Sequence, residues 1–206
     1  VGKHEEDWVG EARLHRHSRM DDAELGEAVV RARDGDEAAF GVVYRELHPM
    51  LLGYLRGLIG NDADDIASET WHDIVRDLRA FRGNGQSFRG WAATIARHRA
   101  LDHIRRGHAR PRTTALDEDV ADLVAERTSA GDSEGAALEN ISTARALSLI
   151  AELPRDQAEA VLLRVVLGLN GPMAAEVLGK RPGAVRTASH RGLMRLSERL
   201  RGAEEK

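Results

Sequence analysis

Cysteine is absent from the chain, which excludes a disulfide, a thiol switch and any cysteine-ligated zinc, so sensing of that kind has to sit on a partner. Aromatics make up only 4% of the 206 residues, and the apolar remainder is dominated by Ala, Leu and Val, which favours helix nearly everywhere. The expected fold class is therefore all-α. No run approaches the roughly 20 apolar residues needed to span a bilayer, and the N-terminus lacks the basic-then-apolar layout of a signal peptide. The expected location is cytoplasmic, without membrane insertion.

Sequence patterns for catalysis are missing as well. The chain has no phosphate-binding loop, no nucleophile elbow and no His-Glu-x-x-His. Glu69 and His72 have the Glu-x-x-His spacing of a helical metal pair, but a di-iron site needs a second such pair and further glutamates. His98 and Asp102 form another isolated helical pair, of the kind that usually makes surface contacts. The expectation is a non-enzyme with no metal and no cofactor.

What is present is a strong segregation of charge beneath a formal net of −4. Between Arg82 and Arg112 there are many arginines and one acid, Asp102. From Leu116 to Asn140 the acids Asp117, Glu118, Asp119, Asp122, Glu126, Asp132, Glu134 and Glu139 face only Arg127. Basic residues return with Lys180, Arg181, Arg186, Arg191, Arg195, Arg199 and Arg201. The order is a basic module, an acidic connector and a second basic module.

Helix signals divide the chain accordingly. Residues 1–20 show no sustained apolar period and are read as a mobile tail. Asp21 or Asp22 caps a first helix that stops at Asp34-Gly35, and a second helix from near Asp36 carries Phe40, Val43, Tyr44, Leu47, Leu51 and Leu55, with Pro49 as a kink or break. Asp62 caps a third helix through about Ala80, and a fourth begins near Ser87, completing a module over 21–107. Residues 108–139, with Pro111, Gly131 and Gly135, read as a linker whose span if mobile is about 30 Å for roughly 30 residues. A short helix around 119–127 is the one element expected inside it. Four helical segments over 140–201 form the second module, followed by a tail at 202–206.

Two stretches point to nucleic acid. Residues 81–106 combine Phe81, Phe88 and Trp91, a glycine-punctuated turn around Asn84, and a helix bearing Arg89, Arg97, Arg99, Arg105 and Arg106. Phosphates are drawn to such arginines, and exposed bases stack on aromatics or bond to an asparagine. Trp91, Ile95, Leu101 and Ile104 are expected to form the inward stripe of this helix. A solvated arginine face over core aromatics is the competing explanation. In the second module a short helix over 172–178, the turn Gly179-Lys180-Arg181 and a last helix opened by Pro182 have a helix-turn-helix layout. The second helix of that motif lies in the major groove, which places Arg186, Thr187, His190 and Arg191 to read and clamp DNA, while Val185, Leu193 and Leu196 face inward.

The ordered set of segments resembles the extracytoplasmic-function (ECF) sigma factors of bacterial RNA polymerase, from about Asp22 to Leu200. Asp36-Glu37-Ala38-Ala39-Phe40, Tyr44 and Pro49 look like that family's opening helices. Residues 62–70 resemble its polymerase-binding segment, residues 81–106 its promoter-melting segment, and residues 153–164 with 168–196 its −35-reading domain. The resemblance implies that Asp62, Asp64, Asp65, Glu69 and Asp73 dock on core RNA polymerase. It implies that Phe81, Asn84, Ser87, Phe88, Arg89, Trp91, Arg97, Arg99 and Arg105 serve the −10 element, with a flipped base taken by the loop around Asn84. Lys180, Arg181, Arg186, Thr187, His190 and Arg191 then serve the −35 element of promoter DNA. An anti-sigma factor is the implied regulatory partner, since the family is commonly held by one.

Some positions depart from the family pattern. Ser68 stands where the family usually has Gln, and Gly171-Pro172-Met173 replaces an acidic, hydroxyl-rich helix start, which leaves the capping of that helix open. Two other classes stay in view at this level: a stand-alone helix-turn-helix regulator and an adaptor whose basic faces hold an acidic partner.

Overall fold

The computed structural model describes residues 20–109 and 134–204. Among these residues every regular element is helical, as expected. The first half comprises α1 (Asp22–Arg33), α2 (Glu37–Ile59), α3 (Ala63–Asp77) and α4 (Gly85–Ala109); the second comprises α5 (Glu134–Ala151), α6 (Arg155–Val161), α7 (Gly171–Leu178) and α8 (Pro182–Glu204).

Local chemistry sets these boundaries. The Asp21 carboxylate accepts from the Ala23 and Glu24 N–H groups at 2.8 Å, and Glu24 accepts in return from the Asp21 N–H at 3.2 Å, a reciprocal cap that starts α1. Asp36 caps α2 through the Ala39 N–H at 2.9 Å and also holds the Arg31 guanidinium. Those contacts, the Ala39 bond foremost, keep the Asp36 carboxyl below the usual carboxylate range. Pro49 does not break α2. The helix runs on to Ile59, held by the buried stripe Val43, Leu47, Leu51, Tyr54 and Leu55, whose packing outweighs one missing N–H. Asp62 does not cap α3 either; its carboxylate meets His103 Nε2 at 2.9 Å on α4.

The inward side of α4 differs from the expected stripe. Phe88, Ala92, Ala93, Ala96 and Ala100 are buried, whereas Trp91, Ile95, Leu101 and Ile104 are only partly covered. Small side chains let α4 approach α2 and α3 closely, and that proximity wins over the larger residues' apolar area. Arg89 lies on this side and is 3% exposed. Its guanidinium binds Asp22 at 3.2 Å, Glu46 at 3.4 Å and the Met20 carbonyl at 2.7 Å. Met20 thus belongs to the folded module rather than to the tail expected over 1–20.

In the second half, α6 passes into a π-helical turn over Leu162–Val166, ended by Gly168 at φ +67°. The α7 helix stops at Gly179, whose left-handed φ of +61° makes the tight turn into α8. Because α4 extends to Ala109 and α5 begins at Glu134, the linker expected over 108–139 is shorter at both ends. Likewise α8 runs to Glu204, into the expected C-terminal tail. The helix anticipated at 119–127 lies outside the described residues. The two halves touch: α2 contacts α5 and the π-turn, α4 contacts α7, and their apolar residues form one continuous cluster. No helix among the described residues is long and apolar enough to cross a membrane.

Replacing Arg89 by Met removes the donors for Asp22, Glu46 and the Met20 carbonyl while keeping much of the volume. Loss of one partner from a largely buried charged network should lower stability by about 2–4 kcal/mol. Urea unfolding followed by far-UV circular dichroism measures it, and an unchanged midpoint would rule out a structural role for this arginine.

Candidate nucleic-acid interface

The helix-turn-helix is built by α7 and α8. Asn170 supplies the cap that the Gly171-Pro172-Met173 start lacks, its side-chain oxygen accepting from the Met173 N–H at 2.9 Å. On α8, Val185 and Ser189 are buried, and Leu193 and Leu196 pack against the core. Gly192 meets α6 so closely that an added methyl would stand 2.7 Å from Val161 Cγ2. Arg195 donates to Gln157 at 3.0 Å, and Arg199 pairs with Glu152. This side fixes the helix against the bundle.

The other side of α8 faces solvent. Arg186, Thr187, His190 and Arg191 are exposed on its N-terminal half, with Lys180 and Arg181 exposed in the preceding turn. Among the described residues none of the four arginine and lysine side chains has an ion-pair partner. The Thr187 hydroxyl donates to the Gly183 carbonyl at 3.0 Å, leaving its oxygen able to accept. A cleft of about 390 Å³ between the starts of α7 and α8 is lined by Arg164, Pro172, Arg186 and His190, so cationic groups rim a concave surface. The geometry suits a polyanion with hydrogen-bonding edges.

The arginine-rich α4 is a different case. Phe81, Phe88 and Trp91 form a triangle with ring centroids 5.1, 5.1 and 5.5 Å apart. Phe88 is fully buried in it, so only Phe81 and Trp91 keep surface for stacking. Asn84 is exposed and caps α4 by accepting from the Ser87 N–H at 2.9 Å, while Ser87 is half-buried. Gly83 needs its positive φ, and a methyl there would stand 2.8 Å from Ser87 Cβ, which fixes this turn's shape.

The expected open cationic face of α4 is largely neutralised. Arg89 is buried as described; Arg97 holds Glu159 at 3.0 Å; Arg99 holds Asp73 at 2.6 Å and Glu69 at 3.2 Å. Arg105 pairs with Asp102 at 2.9 Å and is mostly exposed. Of the nine residues assigned to the −10 element, Phe88 and Arg89 have no accessible surface of consequence in this conformation. Their type was read as ligand chemistry, but packing and internal carboxylates claim them.

The acids of α3 split likewise. Asp65 is exposed, Asp64 is exposed beside Arg56 at 3.5 Å, Asp62 meets His103, and Glu69 is half-covered by Arg99. Asp73 is buried between Arg76 and Arg99, both at 2.6 Å, so it braces α3 against α4 instead of meeting a partner. Sequence reasoning missed a neighbouring cluster. Trp71 Nε1 donates to His48 Nδ1 at 3.1 Å, and the Tyr44 ring lies 4.7 Å from both the His48 and the Trp71 rings. Burial lowers the His48 pKa from its ordinary value. Tyr44 packs on this cluster and stays partly exposed, and Val75, one turn along α3 from Trp71, is exposed as well. The i, i+4 spacing of Phe40, Tyr44 and His48, matched by Trp71 and Val75, carried that signal.

Comparison with known proteins matches residues 43–110 to the sigma-70 region 2 family and residues 143–196 to the sigma-70 region 4 family. The chain is 34% identical over 181 residues to the ECF RNA polymerase sigma factor ShbA of Streptomyces griseus, covering 84% of this chain and 93% of the relative. It is 32% identical over 190 residues to the ECF sigma factor SigD of Mycobacterium tuberculosis, covering 88% and 86%. A solved structure of CnrH in complex with the cytosolic domain of CnrY has the same fold, with a TM-score of 0.57 at 21% identity over 88% of this chain and 99% of that one.

Proposed function

The chain belongs to the ECF sigma factors of bacterial RNA polymerase, and on that premise we propose how its residues divide the work of initiation. The region 4 module reads the −35 element with Arg186, Thr187, His190 and Arg191, while Lys180 and Arg181 hold phosphates at the turn. The observation that carries this is the row of unpaired cations on the open side of α8, set on a helix locked at its back by Gly192 and Val185. Arginine binds guanine in bidentate fashion and phosphates without sequence preference, so the same face gives both specificity and salt-dependent affinity.

The region 2 module handles the −10 element by a smaller set than the sequence suggested. Asn84 takes an extruded base, Phe81 and Trp91 offer stacking surface, and Arg105 with Ser87 meets the backbone. Phe88 and Arg89 hold that surface in shape from beneath. Asp64 and Asp65 at the start of α3, with the exposed Tyr44 of α2 and Val75 of α3, form the docking surface for core polymerase.

Regulation falls to a protein inhibitor. A chain without cysteine has no thiol to sense with, and the exposed cationic face of α8 and the exposed Tyr44 and Val75 are surfaces for a helical, net-acidic anti-sigma factor. The CnrH–CnrY complex provides a precedent on the same fold.

Three measurements follow from these assignments. Arg186→Ala or Arg191→Ala should each lower affinity of the holoenzyme for a cognate promoter by about 5- to 150-fold, the equivalent of about 1–3 kcal/mol, with run-off transcription falling alongside; unchanged transcription in both would remove α8 from promoter reading. Asn84→Ala should slow open-complex formation on duplex promoter, read by permanganate footprinting, while core binding stays the same. Equal loss of both would show instead that the cap on α4 is what the change destroyed. Purification of the chain at native levels from its host under uninduced conditions should recover a one-to-one complex with an acidic inhibitor that excludes core polymerase. Recovery of polymerase subunits alone would contradict this mode of control.

A further inference from the structure

The group formed by Phe40, Tyr44, His48 and Trp71 holds a titratable side chain in one protonation state. Trp71 is 7% exposed, and its indole N–H has one hydrogen-bond partner among the described residues, His48 Nδ1 at 3.1 Å. A ring nitrogen that accepts is unprotonated, so His48 is neutral and carries its proton on Nε2. The same imidazole lies flat against Tyr44, with centroids 4.7 Å apart and planes 12° from parallel. Tyr44 in turn leans on Trp71 at 4.7 Å, and Phe40 closes the group by meeting Trp71 edge-on at 6.0 Å. His48 therefore braces the indole through a nitrogen and the phenol through its face, tying α2 to α3 at one point.

A proton added to Nδ1 would set two N–H groups against each other at hydrogen-bond distance. The Trp71 donor would be left buried without an acceptor, a loss larger than the net worth of an average hydrogen bond. The neighbouring charges do not reverse this. Asp64 on α3 favours the imidazolium, but burial, the largest influence, opposes it, and Arg56 on α2 opposes it too. Arg56 also pairs with Asp64 at 3.5 Å, which offsets part of that carboxylate's pull. With the His48 pKa held below its ordinary value, the brace is intact above the ordinary histidine range. It is lost as pH falls from there through the lowered value.

We propose that His48 is a positioning residue for the polymerase-docking surface: it fixes Trp71 and the partly exposed Tyr44 while its Nδ1 is unprotonated, and acid releases both. The inference rests on the reading of Tyr44, Val75, Asp64 and Asp65 as that surface. Tyr44 takes its orientation from the two rings beside it, and Val75 follows Trp71 by one turn of α3, so both move when the brace fails.

The indole signals of the free chain provide the test. Proton–nitrogen NMR shows Trp8, Trp71 and Trp91, and the signal missing from Trp71→Phe belongs to Trp71. Between about pH 7.5 and about pH 5 that signal should shift, and its hydrogen exchange should rise about tenfold beyond the intrinsic change, with a midpoint below the ordinary histidine value of about 6.5. His48→Asn, whose Oδ1 replaces Nδ1 as an acceptor that does not titrate, should leave the Trp71 signal unmoved by pH. Affinity for core polymerase, each chain compared with itself at the two pH values, should fall about three- to tenfold more for the wild type than for His48→Asn. His48→Ala, which removes the brace altogether, should weaken core binding already at about pH 7.5. A Trp71 signal indifferent to pH, neutral-pH core binding unchanged in His48→Ala, or a pH dependence of core affinity that survives in His48→Asn would each overturn the proposal. The last result would move the effect to His72, exposed on α3, or to His103, paired with Asp62. Tyr44→Ala at about pH 7.5 checks the docking reading separately. Unchanged core affinity there would overturn the link to polymerase, while the Trp71 titration alone decides whether His48 holds the aromatic group.

Discussion

The constraint on which this molecule depends is the close approach of helices at points where one of the two carries almost no bulk. Ala92, Ala93, Ala96 and Ala100 bring α4 against its own module, and Gly90 on the same helix, with Gly53 and Gly57 on α2, admits the other. With only three Phe, two Tyr and three Trp, the chain builds its core from short aliphatic contacts at high density. A methyl in the wrong place on α4 or α2 therefore acts as a wedge.

Arginine has two opposed jobs in this framework. Arg89, Arg97 and Arg99 are spent on internal carboxylates that tie α1, α2, α3 and α6 to α4, and each would be a poor nucleic-acid ligand while so engaged. Arg181, Arg186 and Arg191 meet no carboxylate among the described residues and stand in solvent on a helix whose back is locked. The difference lies in the neighbours rather than in the residue. A net charge of −4 is thus no obstacle to DNA binding, because the acids that neutralise region 2 internally leave α8 untouched. Matches to both region 2 and region 4 also set aside a stand-alone helix-turn-helix regulator, which has no need of the first.

Much of this was legible before any coordinates. A cap at Asp21 or Asp22, a helix start near Asp36, a turn at Gly179 and a helix start at Pro182 are signals encoded within four residues; the structure has Asp21 as the first cap, and the other three hold. The exposed face of α8 was legible for the same reason, since a helix-turn-helix fixes which side of its second helix looks outward. What sequence could not supply was partnership across distance. Phe88 and Arg89 look like ligand residues in a list, and only the placement of Asp22, Glu46 and Met20 shows that Arg89 is structural. Asp73 looked like Asp65 until α4 delivered Arg99 to it. The alanine side of α4 was hidden because hydrophobic periodicity weights large residues, whereas close packing selects small ones.

Distance between the modules measures the central claim most directly. Fluorophores attached at Glu27→Cys on α1 and Glu198→Cys on α8, both exposed and outside the binding faces, report that separation in an otherwise cysteine-free chain. The account predicts one short, narrow distance for the free protein, and a longer, broader one when Gly57→Leu sets bulk against Leu162. A long, broad distribution in the free protein, or a distance that Gly57→Leu leaves unmoved, would contradict it.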